Sequence, residues 1–349
     1  MTLSLAAIPK AELHVHLEGT ATPDLVRKLA ARHGMALPPG LFDAQGDFAW
    51  SDFLHFLKVY DEAAAVIRTD RDYRDVTHDY LRRCAAEGAV YVEVMSSPDH
   101  AAQAGLSFQG HLDGIVQGIE DARTDFGIEA RVIVTCVRHF GVERGLEVAK
   151  ACARHRHPAV TGFGMGGDEN HLRAAVFAEV FAIAHHEAGL ACTVHAGEAA
   201  GPESIRDALD NLPVRRIGHG VRAIEDAGLT ARIAGEGIVL EVCPTSNIRT
   251  AVYPGYAAHP LNRLRAAGCA VTLNSDDPPY FGTSIGREYD VAKRHFGWSD
   301  EELLIATTAS LDAAFIDAET RTRLTARLRS AGSPAAAPPN DGHEPGPAR

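Results

Sequence analysis

The sequence lacks the features of a membrane or secreted protein. Nowhere does it contain an apolar run of about 20 residues, the length that a membrane-spanning helix needs, and its short apolar N-terminus has neither a basic leader nor a cleavage-site pattern. The six cysteines fall mostly within apolar stretches and form no CxxC pair, a pattern typical of reduced, buried thiols rather than of a disulfide framework. We therefore expect a cytoplasmic protein that does not associate with membranes.

Basic residues are also scarce. Lys and Arg number 34 against 46 Asp and Glu, which gives a formal net charge of −12, whereas binding to nucleic acid or to an acidic membrane requires concentrated positive charge. Hydrophobic residues make up 46% of the 349 residues, enough for one large core. We predict a single catalytic domain over residues 1–329 that acts on a small molecule and binds no nucleic acid. Its oligomeric state does not follow from the sequence.

Short apolar segments that resemble β-strands alternate along the chain with longer segments of helical periodicity. In the longer segments, for example 73–87, 112–124 and 177–188, apolar side chains recur at intervals of three and four residues. Repeated β-α units of this kind predict an α/β fold, a (β/α)8 TIM barrel. The eight predicted strands are 12–16, 89–95, 131–136, 160–163, 191–195, 214–217, 238–242 and 269–273.

Two segments fall outside this alternation. Residues 37–68 follow the first β-α unit and form a predicted helical insertion with several aromatic residues, among them Phe48, Trp50 and Phe53. The insertion either closes over a flat ligand at the active face of the barrel or only packs its aromatic side chains against the barrel. Residues 330–349 are rich in Pro, Ala and Gly and lack periodicity, so we predict a disordered tail.

Histidine and aspartate stand at the ends of predicted strands that are far apart in sequence. His14 and His16 are two residues apart on the first strand and face the same side, while His195 ends the fifth strand and Asp276 follows the eighth. In a closed barrel the C-terminal strand ends share one face. Buried histidines are often only hydrogen-bonded core residues, but three imidazoles with one carboxylate suit a catalytic zinc ion that keeps a position open for water.

Three more polar residues belong to the same predicted face. Glu198 follows His195 by three residues, which favours a proton-transfer role, although acidic residues are also common at helix starts. His219 lies between two glycines after the sixth strand, where it points into the barrel mouth or serves only in a turn. Asp277 cannot face the same way as the adjacent Asp276, so it either accepts a hydrogen bond from the ligand or has a structural role.

Six motifs together resemble the adenosine/adenine deaminase family of the amidohydrolase superfamily, and within it the bacterial adenosine deaminases most. They keep the family's order over residues 10–315. The resemblance implies a TIM-barrel hydrolase that acts on the C–N bonds of cyclic amidines and releases ammonia from an aminopurine. The motifs read AELHVHLEG, TGFGMGGDE, TVHAGE, RIGHG, LEVCPTSN and TLNSDDPPYF.

The resemblance also implies a role for each site residue. It implies one zinc ion per subunit, held by the three histidines named above and Asp276, and residues 160–168 contain no lysine that could bridge a second metal. Glu198 would protonate N1 of the purine, and His219 would orient the attacking water and help to deprotonate it. Asp277 would hydrogen-bond N7, and the backbone of Gly167 would contact N3.

These motifs contact only the purine core and the metal, so the choice of substrate depends on other residues. In animal adenosine deaminases an aspartate of the first motif binds the ribose. This chain has the longer Glu18 there, as adenine-specific and many bacterial members do. Likeness to the bacterial adenosine deaminases predicts hydrolysis of adenosine and 2'-deoxyadenosine to inosine and ammonia in purine salvage. Adenine, aminodeoxyfutalosine and other modified adenines are alternative substrates, and an amide or ester hydrolase or a purine-binding protein are alternative functions.

Overall fold

Eight parallel strands form one sheet in a computed structural model that describes residues 7–332. The strands are β1 Lys10–Glu12, β2 Ala89–Ser96, β3 Glu129–Val137, β4 Val160–Gly166, β5 Ala191–Ala196, β6 Val214–His219, β7 Val239–Val242 and β8 Ala270–Leu273. They pair in sequence order. Residues just past β1 and β8 close the ring, because His16 N donates to Asp276 O at 3.0 Å and Asp276 N donates to His14 O at 3.2 Å. The predicted (β/α)8 barrel is confirmed.

Helices connect successive strands and surround the barrel. They are α1 Pro23–Arg32, α2 Phe53–Ala64, α3 Asp70–Ala86, α4 Pro98–Gln103, α5 Phe108–Phe126, α6 Val142–Arg154, α7 Ala178–Ala182, α8 Pro202–Asn211, α9 Ala227–Glu236, α10 Pro244–Arg249, α11 Leu261–Ala266, α12 Pro278–Phe281, α13 Ile285–Phe296, α14 Asp300–Ala313 and α15 Ala318–Gly332. Among the described residues, no helix has the length and apolarity needed to cross a membrane. All six cysteines are buried and unpaired. Because α15 ends at Gly332, the predicted tail begins inside a helix, and residues 333–349 lie outside the described part of the chain.

The first strand is shorter than the predicted segment 12–16. Its ladder covers only Lys10–Glu12. Beyond the ladder, Val15 pairs with Asp276 and His16 pairs with Met95 as isolated bridges. The backbone at these two residues therefore contacts the end of β8 on one side and the end of β2 on the other. The two histidines of the first motif therefore stand at the point where the sheet opens.

Glycine occupies successive inward positions of β4 and creates space inside the barrel. A Cβ atom on Gly162 would lie 2.8 Å from the ring of Phe315, and one on Gly166 would lie 3.3 Å from the ring of His195. A side chain at Gly162 would displace the Phe315 ring, and one at Gly166 would crowd the His195 ring. Between these two ends the interior contains the buried charged residues Glu93, Arg216 and Glu241, where such barrels usually have branched aliphatic side chains.

The predicted insertion packs on the short helix that follows β8. Phe48 stacks on Tyr280 with ring centroids 4.0 Å apart, and Trp50 Nε1 donates to the Tyr280 carbonyl at 3.2 Å. Phe53 and Leu57, on α2, line the cavity at the C-terminal face of the barrel. Phe48 and Trp50 therefore pack the insertion onto the barrel, and α2 in addition lies over the cavity.

Candidate active site

The strand ends place the predicted metal ligands around one point. His14 and His16 follow β1, His195 is the next-to-last residue of β5, and Asp276 follows β8. One ligand atom of each residue lies within 4.8 Å of those of the other three. His16 Nε2 is 3.1 Å from His195 Nε2 and 3.3 Å from Asp276 Oδ1, and His14 Nε2 is 3.5 Å from the same oxygen.

This cluster fits a divalent metal ion. Among the described residues, His14 Nε2 is buried and has no hydrogen-bond partner, although buried polar atoms are normally satisfied. Three imidazole nitrogens and a carboxylate oxygen are donors that catalytic zinc and related ions accept. The donor set and the orphaned nitrogen therefore both indicate a candidate metal site.

Neighbouring groups hold the outer side of the ligands. His14 Nδ1 is 2.7 Å from Glu241 Oε2, His195 Nδ1 is 2.9 Å from the Met165 carbonyl, and Ser246 Oγ donates to Asp276 Oδ2 at 2.7 Å. When each Nδ1 carries its proton toward an acceptor, the Nε2 atoms of both rings keep their lone pairs for a metal. The orientation of three ligands is thus determined by hydrogen bonds outside the cluster.

Backbone strain accompanies two of the site residues. His219 and Asp276 adopt left-handed conformations, with φ of 59° and 65°, which non-glycine residues rarely do and which cluster at functional sites. His219 Nε2 lies 3.6 Å from Glu198 Oε2 and 3.8 Å from Asp276 Oδ2. Burial lowers the pKa of His219 to about 3, so its ring is neutral and one ring nitrogen keeps a lone pair that can accept a hydrogen bond.

Glu198 is held in place by a second carboxylate, Glu169. The side chain of Glu169 accepts backbone hydrogen bonds from Gly197 at 2.5 Å, Glu198 at 3.1 Å and Ala200 at 2.8 Å, and one from Ser204 Oγ. Burial raises the pKa of Glu198 well above its usual value, and the charges of Asp276 and Glu169 raise it further. The raised pKa favours the protonated form of the Glu198 carboxyl group.

The predicted purine contacts line the same cavity. Asp277 Oδ1 is buried and has no hydrogen-bond partner among the described residues, and burial raises the pKa of Asp277. Gly19 packs directly on this carboxyl group, because a Cβ atom there would lie 1.8 Å from Asp277 Oδ1. Gly167 has a φ of 95° and lies against His139, which also lines the cavity.

The structure brings all nine predicted site residues together. Eight of them line the cavity, and His14 lies beneath it. The cavity-lining members are His16, Glu18, Gly167, His195, Glu198, His219, Asp276 and Asp277.

Sequence reasoning missed the residues that support the site. Glu169 lies in the quoted motif TGFGMGGDE and Glu241, Ser246 and Asn247 in LEVCPTSN, yet none of them received a role. Asn247 contacts both His219 Nδ1 at 3.2 Å and His259 Nε2 at 3.1 Å. A carboxylate inside an otherwise apolar strand, as Glu241 is, was the available signal.

Comparison with known proteins extends these observations. A family model described as adenosine deaminase matches residues 9–331. An adenine deaminase of Chelativorans sp. strain BNC1 is 50% identical over 92% of this chain and 98% of its own length, and one of Mesorhizobium japonicum is 49% identical over the same shares.

Solved structures agree with this similarity. The crystal structure of an adenine deaminase from Arthrobacter aurescens has a TM-score of 0.87 and 32% identity, covering 92% of this chain and 98% of that one. An amidohydrolase from Burkholderia ambifaria with bound Zn has a TM-score of 0.85 and 26% identity, covering 95% and 93%.

The relatives correct the predicted substrate. The prediction of adenosine is wrong, since curated relatives that are about half identical to nearly the whole chain are named adenine deaminase. The error arose because the roles implied for the quoted motifs concern the purine core and the metal, which both substrates share. The alternative prediction, adenine, agrees better with these relatives.

Proposed function

This chain belongs to the adenosine deaminase family, whose hydrolases act on C–N bonds of cyclic amidines, and we propose that it deaminates adenine to hypoxanthine and ammonia. The environment of Glu18 is the observation that carries this choice of the free base. In the related nucleoside enzymes this motif position serves the ribose, so the availability of its carboxylate distinguishes the two substrates.

Protein donors already occupy the Glu18 carboxylate. Oε1 accepts from Ser96 Oγ at 2.6 Å, from Ser97 N at 3.2 Å and, more weakly, from Tyr73 OH at 3.4 Å. Oε2 is 3.3 Å from Tyr60 OH. A carboxylate offers about four acceptor positions, and because three of the four donors contact Oε1 and one contacts Oε2, at most one position, on Oε2, remains for a ribose hydroxyl. Glu18 therefore shapes the end of a pocket for the base.

The candidate metal site would hold one zinc ion through His14, His16, His195 and Asp276. Bound there, zinc would supply Lewis acidity that makes a water molecule acidic near neutral pH. A free purine base as substrate accords with a role in purine salvage, and we propose that the protein acts in the cytoplasm.

Two residues would move the protons of the reaction. Glu198 donates a proton to N1 of the purine, which draws electrons from C6 and makes it electrophilic. His219 takes a proton from the attacking water, whose oxygen forms a bond to C6. The exocyclic nitrogen gains the proton held by His219, and the bond between C6 and that nitrogen breaks to release ammonia. The remaining hydroxyl proton returns to Glu198 as the C6 carbonyl forms.

The base is held by groups on the two sides of the pocket. Asp277 is directed to N7, where its carboxyl proton, retained through the raised pKa, can be donated to the ring nitrogen. The backbone N–H of Gly167 is directed to N3. Because Gly19 packs on Asp277, the position of this carboxyl group is restricted by the residue next to Glu18.

Side-by-side measurement of kcat/KM for adenine and adenosine on zinc-loaded protein tests the proposal. Loss of purine absorbance and release of ammonia should both show a kcat/KM for adenine that is at least about 100-fold higher than for adenosine. A binding pocket discriminates by about this factor between substrates that differ in one group. Preference for adenosine would overturn the proposal. Activity on neither, with activity on an N6-substituted adenine, would support the metal site but not the substrate.

A further inference from the structure

A buried ion-pair chain lies directly beneath the candidate metal site. Glu241, on β7, is in contact with His14 through Oε2, at 2.7 Å, and with Arg216 Nε through Oε1, at 2.6 Å. The side chains of all three residues are at most 1% exposed. Thr193 Oγ1 also donates to Glu241 Oε1, at 2.9 Å. The carboxylate that orients His14 is thus itself oriented from below.

Arg216 is held on its remaining sides by the opposite wall and the closed end of the barrel. Nη2 donates to Glu93 Oε2 at 2.6 Å, and Nη1 donates to the Ala313 carbonyl at 3.1 Å. The guanidinium carbon lies 3.6 Å from the centroid of the Phe315 ring. A planar guanidinium can satisfy two carboxylates and stack on a ring at the same time, which an ammonium group cannot.

The charges explain why this residue matters to the site. Glu93 and Glu241 are two buried carboxylates, and Arg216 is in contact with both. Removing one partner of a buried charge group leaves the other uncompensated. Without the guanidinium, Glu241 would lose the contact that directs its second oxygen toward His14, and the ring would no longer be fixed with Nε2 facing the cluster.

We propose that Arg216 is a positioning residue for the metal ligand His14, acting through Glu241. The proposal rests on the metal site inferred under the proposed function. Arg216 also connects the segment after α14, where Phe315 lies under the guanidinium, with the candidate metal site at the other end of the barrel.

Zinc affinity of the full-length, metal-stripped protein is the direct test, measured by competition with a chromophoric chelator. R216K retains the positive charge but loses the simultaneous guanidinium contacts with Glu93 and Glu241. We expect its zinc affinity to fall about tenfold, the lower limit of the losses seen when a residue that hydrogen-bonds a metal ligand is replaced. R215K is the matched control, because Arg215 precedes Arg216 on β6 and is exposed. Equal affinities of R216K and R215K would overturn the proposal.

A double-variant comparison tests whether Arg216 acts through Glu241. We expect E241Q to weaken zinc binding by about 10- to 100-fold and R216K/E241Q to bind no more weakly than E241Q. Fully additive losses would show that Arg216 acts by another route and would overturn the proposal.

One further variant addresses the risk that R216K does not fold. R216M/E93Q removes one positive and one negative charge together, and should bind zinc more weakly than E93Q alone. Equal affinities of these two variants would contradict the proposal. If the wild-type protein itself binds no zinc, the proposed function fails; if it binds zinc and R216K is unchanged, only the positioning role fails.

Discussion

The hydrogen bonds that Glu169 accepts from the Glu198 loop lead to a quantitative prediction for Glu169→Gln. Each oxygen of Glu169 accepts two hydrogen bonds. The amide nitrogen of Gln would oppose at least one backbone N–H, whichever oxygen it replaces. Hydrogen bonds to a charged group contribute about 1.5–3 kcal/mol each, so losing one backbone hydrogen bond would cost the loop about 1.5 kcal/mol or more. A displacement of about 1 Å at the proton donor can lower the rate about 100-fold.

We therefore expect E169Q to lower kcat about 100-fold while KM for adenine and zinc content stay near those of the wild type. The assay is steady-state deamination with ammonia detection, together with metal analysis of the same sample. E203Q is the matched control, because Glu203 is an exposed carboxylate in the first turn of α8 and should leave kcat unchanged. Wild-type kcat in E169Q, or loss of zinc from it, would refute the reasoning.

Three further predictions concern the proton donor, the purine contact and stability. Glu198→Gln should keep its zinc and lose about 1,000-fold or more in kcat. In the wild type, kcat/KM should fall as pH rises through the raised pKa of Glu198. Substantial residual activity in the variant, or a wild-type pH–rate profile without this fall, would contradict the assigned role. Gly19→Ala should lower kcat/KM for adenine by displacing Asp277, whose Oδ1 would be 1.8 Å from the new Cβ; unchanged kinetics would contradict the role of Asp277. Burial raises the pKa of Glu288 from 4.5 to about 7, so the folded protein binds an extra proton between these values and its free energy of unfolding should decrease as pH rises across them. Urea unfolding should show a smaller decrease for Glu288→Gln, and an equal decrease in both proteins would exclude this explanation.

The sequence by itself determined the fold and which residues would form the candidate metal cluster. Parallel strands alternating with helices have few arrangements, and a barrel brings its C-terminal strand ends to one face. Residues as distant as His14 and Asp276 could therefore be assigned to one cluster from their places at strand ends. Polarity was sufficient here, because three histidines and an aspartate stand out against apolar strands.

Only the tertiary structure decided which groups support that cluster and which donors surround Glu18. Glu241 meets His14 across 227 positions of the chain, and the donors to Glu18 come from α2, α3 and the end of β2. Local periodicity shows which side of a strand a residue faces, but not which distant side chain it meets. The acceptor capacity left on a buried carboxylate depends on such contacts, and so the choice between a base and a nucleoside could not be read from the motif alone.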